Sequence, residues 1–211
     1  LEPPWAEIGG CRVRGQTMVE IRPNAAERTR LLANRLHRPY PVADLDEQEA
    51  VLLVREWEDG PATVIPRARW RFARESDDGV VASREHVHLE SGFEAGKIYH
   101  AVYTTEGAPV VGTGLLAVRD VAAWLTHPST LNPVDGGFER VYGYGVSQTG
   151  RLLRHFIYLG LNLDEEGTPV YDALLPHVAG ARLGEFNHRF AQPSVQSAPG
   201  FGHLSSGPSN Y

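Results

Sequence analysis

The chain has one cysteine, one methionine and no apolar run approaching the ~20 residues needed to cross a bilayer as a helix. Cys11 alone cannot close an internal disulfide, so the fold must hold without one. Positive charge is also short. The 20 Lys and Arg against 26 Asp and Glu leave a formal net charge of -6. No global basic field is present to attract nucleic acid or an anionic membrane, so neither is expected as a partner. No signal peptide is visible, and the sole methionine is Met18. The chain is therefore expected to be a piece of something longer, and its compartment stays open.

What is present is enough apolar sequence for one sizeable core, or one domain with an appended piece: 42% of residues are hydrophobic and 22% charged. The most informative stretch runs from Phe138 to Gly160, FERVYGYGVSQTGRLLRHFIYLG. Val141, Tyr142 and Tyr144 favour a strand, and Leu152, Leu153, Phe156, Ile157 and Leu159 then recur at helical spacing. Between them, Gly145-Val146-Ser147-Gln148-Thr149-Gly150 supplies the small residues that a sharp strand-to-helix turn needs. Such a nucleophile elbow pushes a serine hydroxyl out above a sheet, with the positive end of a helix behind it. Ser147 is the candidate nucleophile. The usual spacing is G-x-S-x-G, and here the second glycine comes one residue late. Two other readings stay open, a serine that merely caps a helix and a phosphate-binding turn. A dinucleotide fingerprint fits poorly, because Gly143, Gly145 and Gly150 miss its third position by two residues.

Along the rest of the chain, Met18 to Ile21 reads as a short strand. Asn24 with Glu27 reads as the start of a helix reaching about Leu36, and its arginines as a solvated face. Ala50 to Trp57 and Ala62 to Phe72 read as strands, with Pro66 at an edge or bulge and Arg67, Arg69 and Arg71 on a solvated face. His86 and His88 share a strand face, but two histidines without a third ligand do not make a metal site. Lys97 to Thr104 is the next strand. Leu115, Val118, Ala122 and Leu125 form a helical stripe that ends before Pro128. Asn162 to Gly167 faintly resembles a calcium loop, yet Ala173 stands where a bidentate glutamate is required, so an acidic turn is the better reading. Val170 to Gly180 reads as a core strand. No metal or cofactor is expected. Strand, glycine-rich loop, helix, strand, elbow and helix in alternation argue for an α/β fold with a mostly parallel sheet and flanking helices, preceded by a small β-rich part. In that fold the loop from Thr104 to Gly114 and the N–H of Gln148 would supply the oxyanion hole.

The stretch GVSQTGRLLRHFIYLGLNLDEEGTPVYDALLPHVAGARLGEFNHRFAQPS resembles a bacterial α/β-hydrolase-domain family. TVIPRARWRFAR, GFEAGKIYHAVY and PVVGTGLLAVRD are similar to segments of the same family, in the same order. The resemblance covers about Ala50 to Ser194. It implies a serine hydrolase with a G-x-S-Q-x-G-R elbow, which accounts for the late glycine, with Ser147 as nucleophile and Gln148 as an oxyanion donor. It also implies that the triad acid and histidine lie beyond Tyr211, and it is compatible with a secreted protein. Residues 1–48 are read as an extension and 49–211 as an incomplete α/β-hydrolase domain. Within the chain itself, His155, His177, His188, His203, Asp172 and Glu185 follow Ser147. His155 is expected to point away from it, His177 to be packed in the core, and His188 and His203 to sit on loops. Two functions follow: acyl transfer on a small-molecule ester or amide by the complete protein, with this chain expected to be inactive alone, or a non-catalytic binding module of the same shape. Self-association through an exposed sheet edge is expected with either.

Overall fold

The computed structural model describes residues 4–33, 38–110, 113–128, 130–134, 138–180 and 190. The chain folds as two compact units. Described residues up to Val110 form one, together with Phe190, and those between Val111 and His188 form the other.

The first unit is built from strands. In chain order they are β1 (Glu7–Ile8), β2 (Cys11–Arg12), β3 (Arg14–Ile21), β4 (Glu27–Leu31), β5 (Val51–Arg55), β6 (Thr63–Ile65), β7 (Trp70–Arg71), β8 (Ala73–Ser76), β9 (Gly79–Ala82), β10 (His86–Phe93) and β11 (Ile98–Glu106). One sheet has the order β3-β11-β5-β6 and another β4-β10-β7, and every pairing in both is antiparallel. Alternation explains the central strand. Tyr99, Ala101, Tyr103 and Thr105 of β11 are buried, while His100, Val102, Thr104 and Glu106 between them are half-buried. Val19 and Ile21 from β3 and Leu52 from β5 join Val87, Leu89 and Phe93 from β10 in one core cluster. Each fully buried side chain of this size contributes ~1.5–3 kcal/mol, so this shared core dominates the unit's stability. The chain beyond the second unit also adds to the first. Phe190 packs edge-on against Tyr40, and its carbonyl accepts the Thr17 hydroxyl at 3.1 Å.

Three expectations need correction here. Residues 27–31 are strand β4, paired with β10, and not helix. The cap signal at Asn24 is worth ~1 kcal/mol, less than a paired strand leading into the fully buried Leu32. Residues 34–37 of the expected helix lie outside the described residues. Pro66 splits the expected strand 62–72, and Arg67–Arg69 form a 3₁₀ turn. The Arg67 side chain is half-buried and not simply on a solvated face. Its guanidinium lies 4.3 Å over the Trp70 ring and donates to the carbonyls of Leu45, Glu47 and Trp70. Burial lowers its pKa, an effect that Asp46 and Glu47 partly oppose. The β-rich part also runs to Val110, and the mostly parallel sheet is not what forms. The strands up to β11 pair antiparallel, through short turns at β1–β2, β5–β6 and β8–β9 and through long connections at β3–β11, β5–β11 and β4–β10.

The second unit holds a helical crossover between parallel strands. It contains helix α1 (Gly114–Thr126), strand β12 (Tyr142–Val146), helix α2 (Gln148–Tyr158) and strand β13 (Ala173–His177). β12 and β13 are parallel, with Tyr142 opposite Ala173 and Val146 opposite His177. α1 buries Leu115 and Ala122 and half-buries Val118 and Leu125, the stripe expected from sequence. The Asn132 amide nitrogen closes its end, within 3.0 Å of the carbonyls of Trp124, Leu125 and His127. α2 buries Gly150, Leu153, His155 and Phe156. No described helix is long and apolar enough to cross a membrane.

Candidate active site

β12 ends at Val146 and α2 begins at Gln148, so the whole reversal from strand to helix falls on Ser147. Its backbone takes φ 55° and ψ -114°. A non-glycine residue held there is strained, by of order 1–3 kcal/mol, and persists only where its surroundings hold it. Three contacts do so. The Ser147 N–H donates to the His177 carbonyl at 3.0 Å, and the Ser147 carbonyl accepts the Arg151 N–H at 2.9 Å. The Thr149 hydroxyl accepts the Val146 N–H and donates to the Val146 carbonyl, both at 2.8 Å.

The glycines are dictated by close approach. A methyl group on Gly145 would lie 2.6 Å from the Thr149 carbonyl oxygen. One on Gly150 would lie 2.6 Å from the His177 oxygen and 2.9 Å from the Gly145 oxygen. The late glycine is thus where the first turn of α2 crosses both strand ends, and Thr149, at the usual glycine position, ties the turn to β12. Ser147 is exposed and makes no side-chain capping bond to α2, so it does not act as an ordinary helix cap. Its hydroxyl stands at the positive end of α2, whose first N–H groups have no partner within the helix. Because its own N–H is taken by His177, the N–H of Gln148 is the next donor available beside the hydroxyl.

The other candidates fall elsewhere. Asp172 precedes β13 and binds Arg140 at 2.6 Å and the Val141 N–H at 2.8 Å. These two contacts, the Val141 N–H first, hold its carboxyl below the usual range. It sits at the amino edge of the strands, roughly 16–20 Å from Ser147 at ~3.3 Å per residue, and is not a triad acid. His155 is buried in α2. His177 is exposed, not packed in a core, and its ring stacks on Tyr144 with centroids 6.4 Å apart. Glu185, His188 and His203 lie outside the described residues. In the loop 104–114, Thr104 to Glu106 close strand β11, and residues 111 and 112 are also outside the described set. A cavity of about 600 Å³, lined by Val118, Val121, Tyr142 and Tyr171 among others, also lies at the amino edge, away from Ser147.

The two histidines on the shared strand face have hydrogen-bond partners. His86 bonds Ser83 and His88 bonds Thr29 through their Nδ1 atoms. Among the described residues, His127, Asp164 and Glu166 bring ligand atoms within 4.8 Å of one another. Asp164 Oδ1 there accepts the N–H groups of Glu166 and Thr168, which closes the acidic turn read from the sequence.

A parallel strand pair crossed by a helix that starts on a strained, exposed serine is the strand-turn-helix arrangement expected of the α/β-hydrolase fold. Residues 67–206 match the alpha/beta hydrolase domain family, and the chain belongs to it. No curated protein and no solved structure matches the chain.

Proposed function

We propose that this chain is a serine hydrolase that cleaves a small-molecule ester or amide by acyl transfer through Ser147. The observation that carries the reading is the Ser147 backbone, strained at φ 55° between β12 and α2 with its hydroxyl exposed and uninvolved in capping. The Ser147 Oγ attacks the substrate carbonyl, forming an Oγ–C bond as the hydroxyl proton passes to a histidine base. In this fold that base follows the nucleophile in the chain, after the triad acid. The Gln148 N–H, with a second donor, holds the resulting oxyanion. The carbonyl re-forms as the alcohol or amine leaves with the proton, and water then hydrolyses the acyl-enzyme.

Turnover of a p-nitrophenyl ester tests this. Nitrophenolate release is expected from a form of the protein that carries the triad acid and histidine, and should fall to background in its Ser147→Ala variant. Equal release from both proteins would remove Ser147 from the chemistry.

A further inference from the structure

We infer that Val178 is a specificity-determining residue whose side chain borders the group carried on the scissile carbonyl. The inference rests on Ser147 as the nucleophile. Val146 and His177 are opposite each other in the parallel ladder, so Ser147 and Val178 are the first residues beyond the two strands at the same edge. Both are non-glycine residues with left-handed backbones, at φ 55° and 43°. A β-branched residue at such a φ is a steric outlier, and glycine would adopt it freely.

Folding gives no reason for valine there, because its side chain is 65% exposed and no core needs it. The contacts around it instead hold the strained conformation in place. Arg154 donates to the Gly180 carbonyl at 2.6 Å, and Arg151 lies at 3.5 Å from that of Ala179. On the other side, the His177 carbonyl accepts the N–H of Ser147 itself. The helix that presents the nucleophile therefore also grips the backbone on both sides of Val178. Strands neighbour each other at ~4.8 Å, which puts a branched apolar side chain within reach of a substituent on the carbon that Ser147 attacks. The substrate class this favours is an ester or amide with a compact, apolar acyl group.

The test compares the labelling rates of two fluorophosphonates, one with a methyl and one with an isopropyl group on phosphorus. In each reaction the Ser147 Oγ–P bond forms as the P–F bond breaks, fluoride leaves, and the hydroxyl proton goes to the base. A form of the protein that carries the triad acid and histidine is the parent, and it is compared with Val178→Gly and Val178→Ala. The expected result is a thermal midpoint in Val178→Gly equal to or above the parent's. The isopropyl-to-methyl rate ratio should rise about tenfold, the scale of a few methylene contacts, with Val178→Ala between. If glycine prevents folding, the alanine variant decides by the same ratio. An unchanged ratio in a folded variant would overturn the role of Val178 and leave Ser147 standing. Failure of the parent chain to label would overturn the Ser147 reading, and this inference with it.

Discussion

Arg22 is the buried charge on which the first unit turns. Its side chain is only 4% exposed, and it bonds Glu20 at 2.7 Å and Glu58 at 2.5 Å. His100 lies 3.4 Å from Glu20 across the ladder. Burial alone would raise the Glu20 carboxyl, but hydrogen bonds from His100 and Arg22, with the charge of Arg22, bring it down to about 2. A depressed pKa contributes stability that is complete above the ordinary 4.5 and is lost as pH falls towards 2. Denaturant unfolding between pH 6 and 2.5 should therefore show the parent chain losing roughly 2 kcal/mol more than Glu20→Gln, after allowance for solvent screening. Parallel curves for the two would contradict the assignment. Little of this cluster was legible beforehand. Glu20 at the end of β3 and Arg22 just after it stand two apart, but Glu58 and His100 arrive from distant parts of the chain. Ser147 was legible, because a strained turn demands small neighbours and the sequence shows them on both sides. His177 was misread because its strand belongs to the narrow sheet of the second unit, where its face is exposed.

At the scale of elements, the elbow depends on backbone contact more than on side chains. Gly150→Ala sets a methyl against the carbonyl oxygens of His177 and Gly145, neither of which can yield as a flexible side chain would. It should destabilise the second unit by about 3 kcal/mol, read by denaturant unfolding. Gly114→Ala is the control: its added methyl meets nothing within 4 Å, so its stability should be unchanged or slightly higher. Equal behaviour of the two would mean that the crossing of α2 over the strand ends is looser than described. Both helices of the second unit were readable, since a helical stripe is a local pattern. β4 was not. Its local signals point to a helix, and only the partner strand β10, more than fifty residues away, makes it a strand. The 3₁₀ turn at Arg67 was likewise hidden, because the alternation of arginine with apolar residues looks the same whether or not Pro66 breaks the strand.

For the whole molecule, strand order is what composition and periodicity conveyed least. The alternating pattern that argued for a parallel sheet describes only β12, α2 and β13, whereas the residues up to Val110 form antiparallel sheets around their own core. The β12–β13 pair leaves apolar surface open, with Tyr142, Tyr144 and Leu175 each more than half exposed. Parallel sheets are ordinarily covered on both faces. The 211-residue chain is therefore expected to self-associate, which light scattering at increasing concentration would detect. A monodisperse monomer throughout would count against an exposed sheet as the cause. The claim on which the functional account stands is that Ser147 is a nucleophile, and covalent labelling addresses it most directly. A form of the protein that carries the triad acid and histidine is treated with a fluorophosphonate, weighed intact and mapped by peptide, beside Ser147→Ala. One adduct, on Ser147 and absent from the alanine variant, is the predicted result. A folded chain that gains no adduct, or gains it elsewhere, would contradict the account.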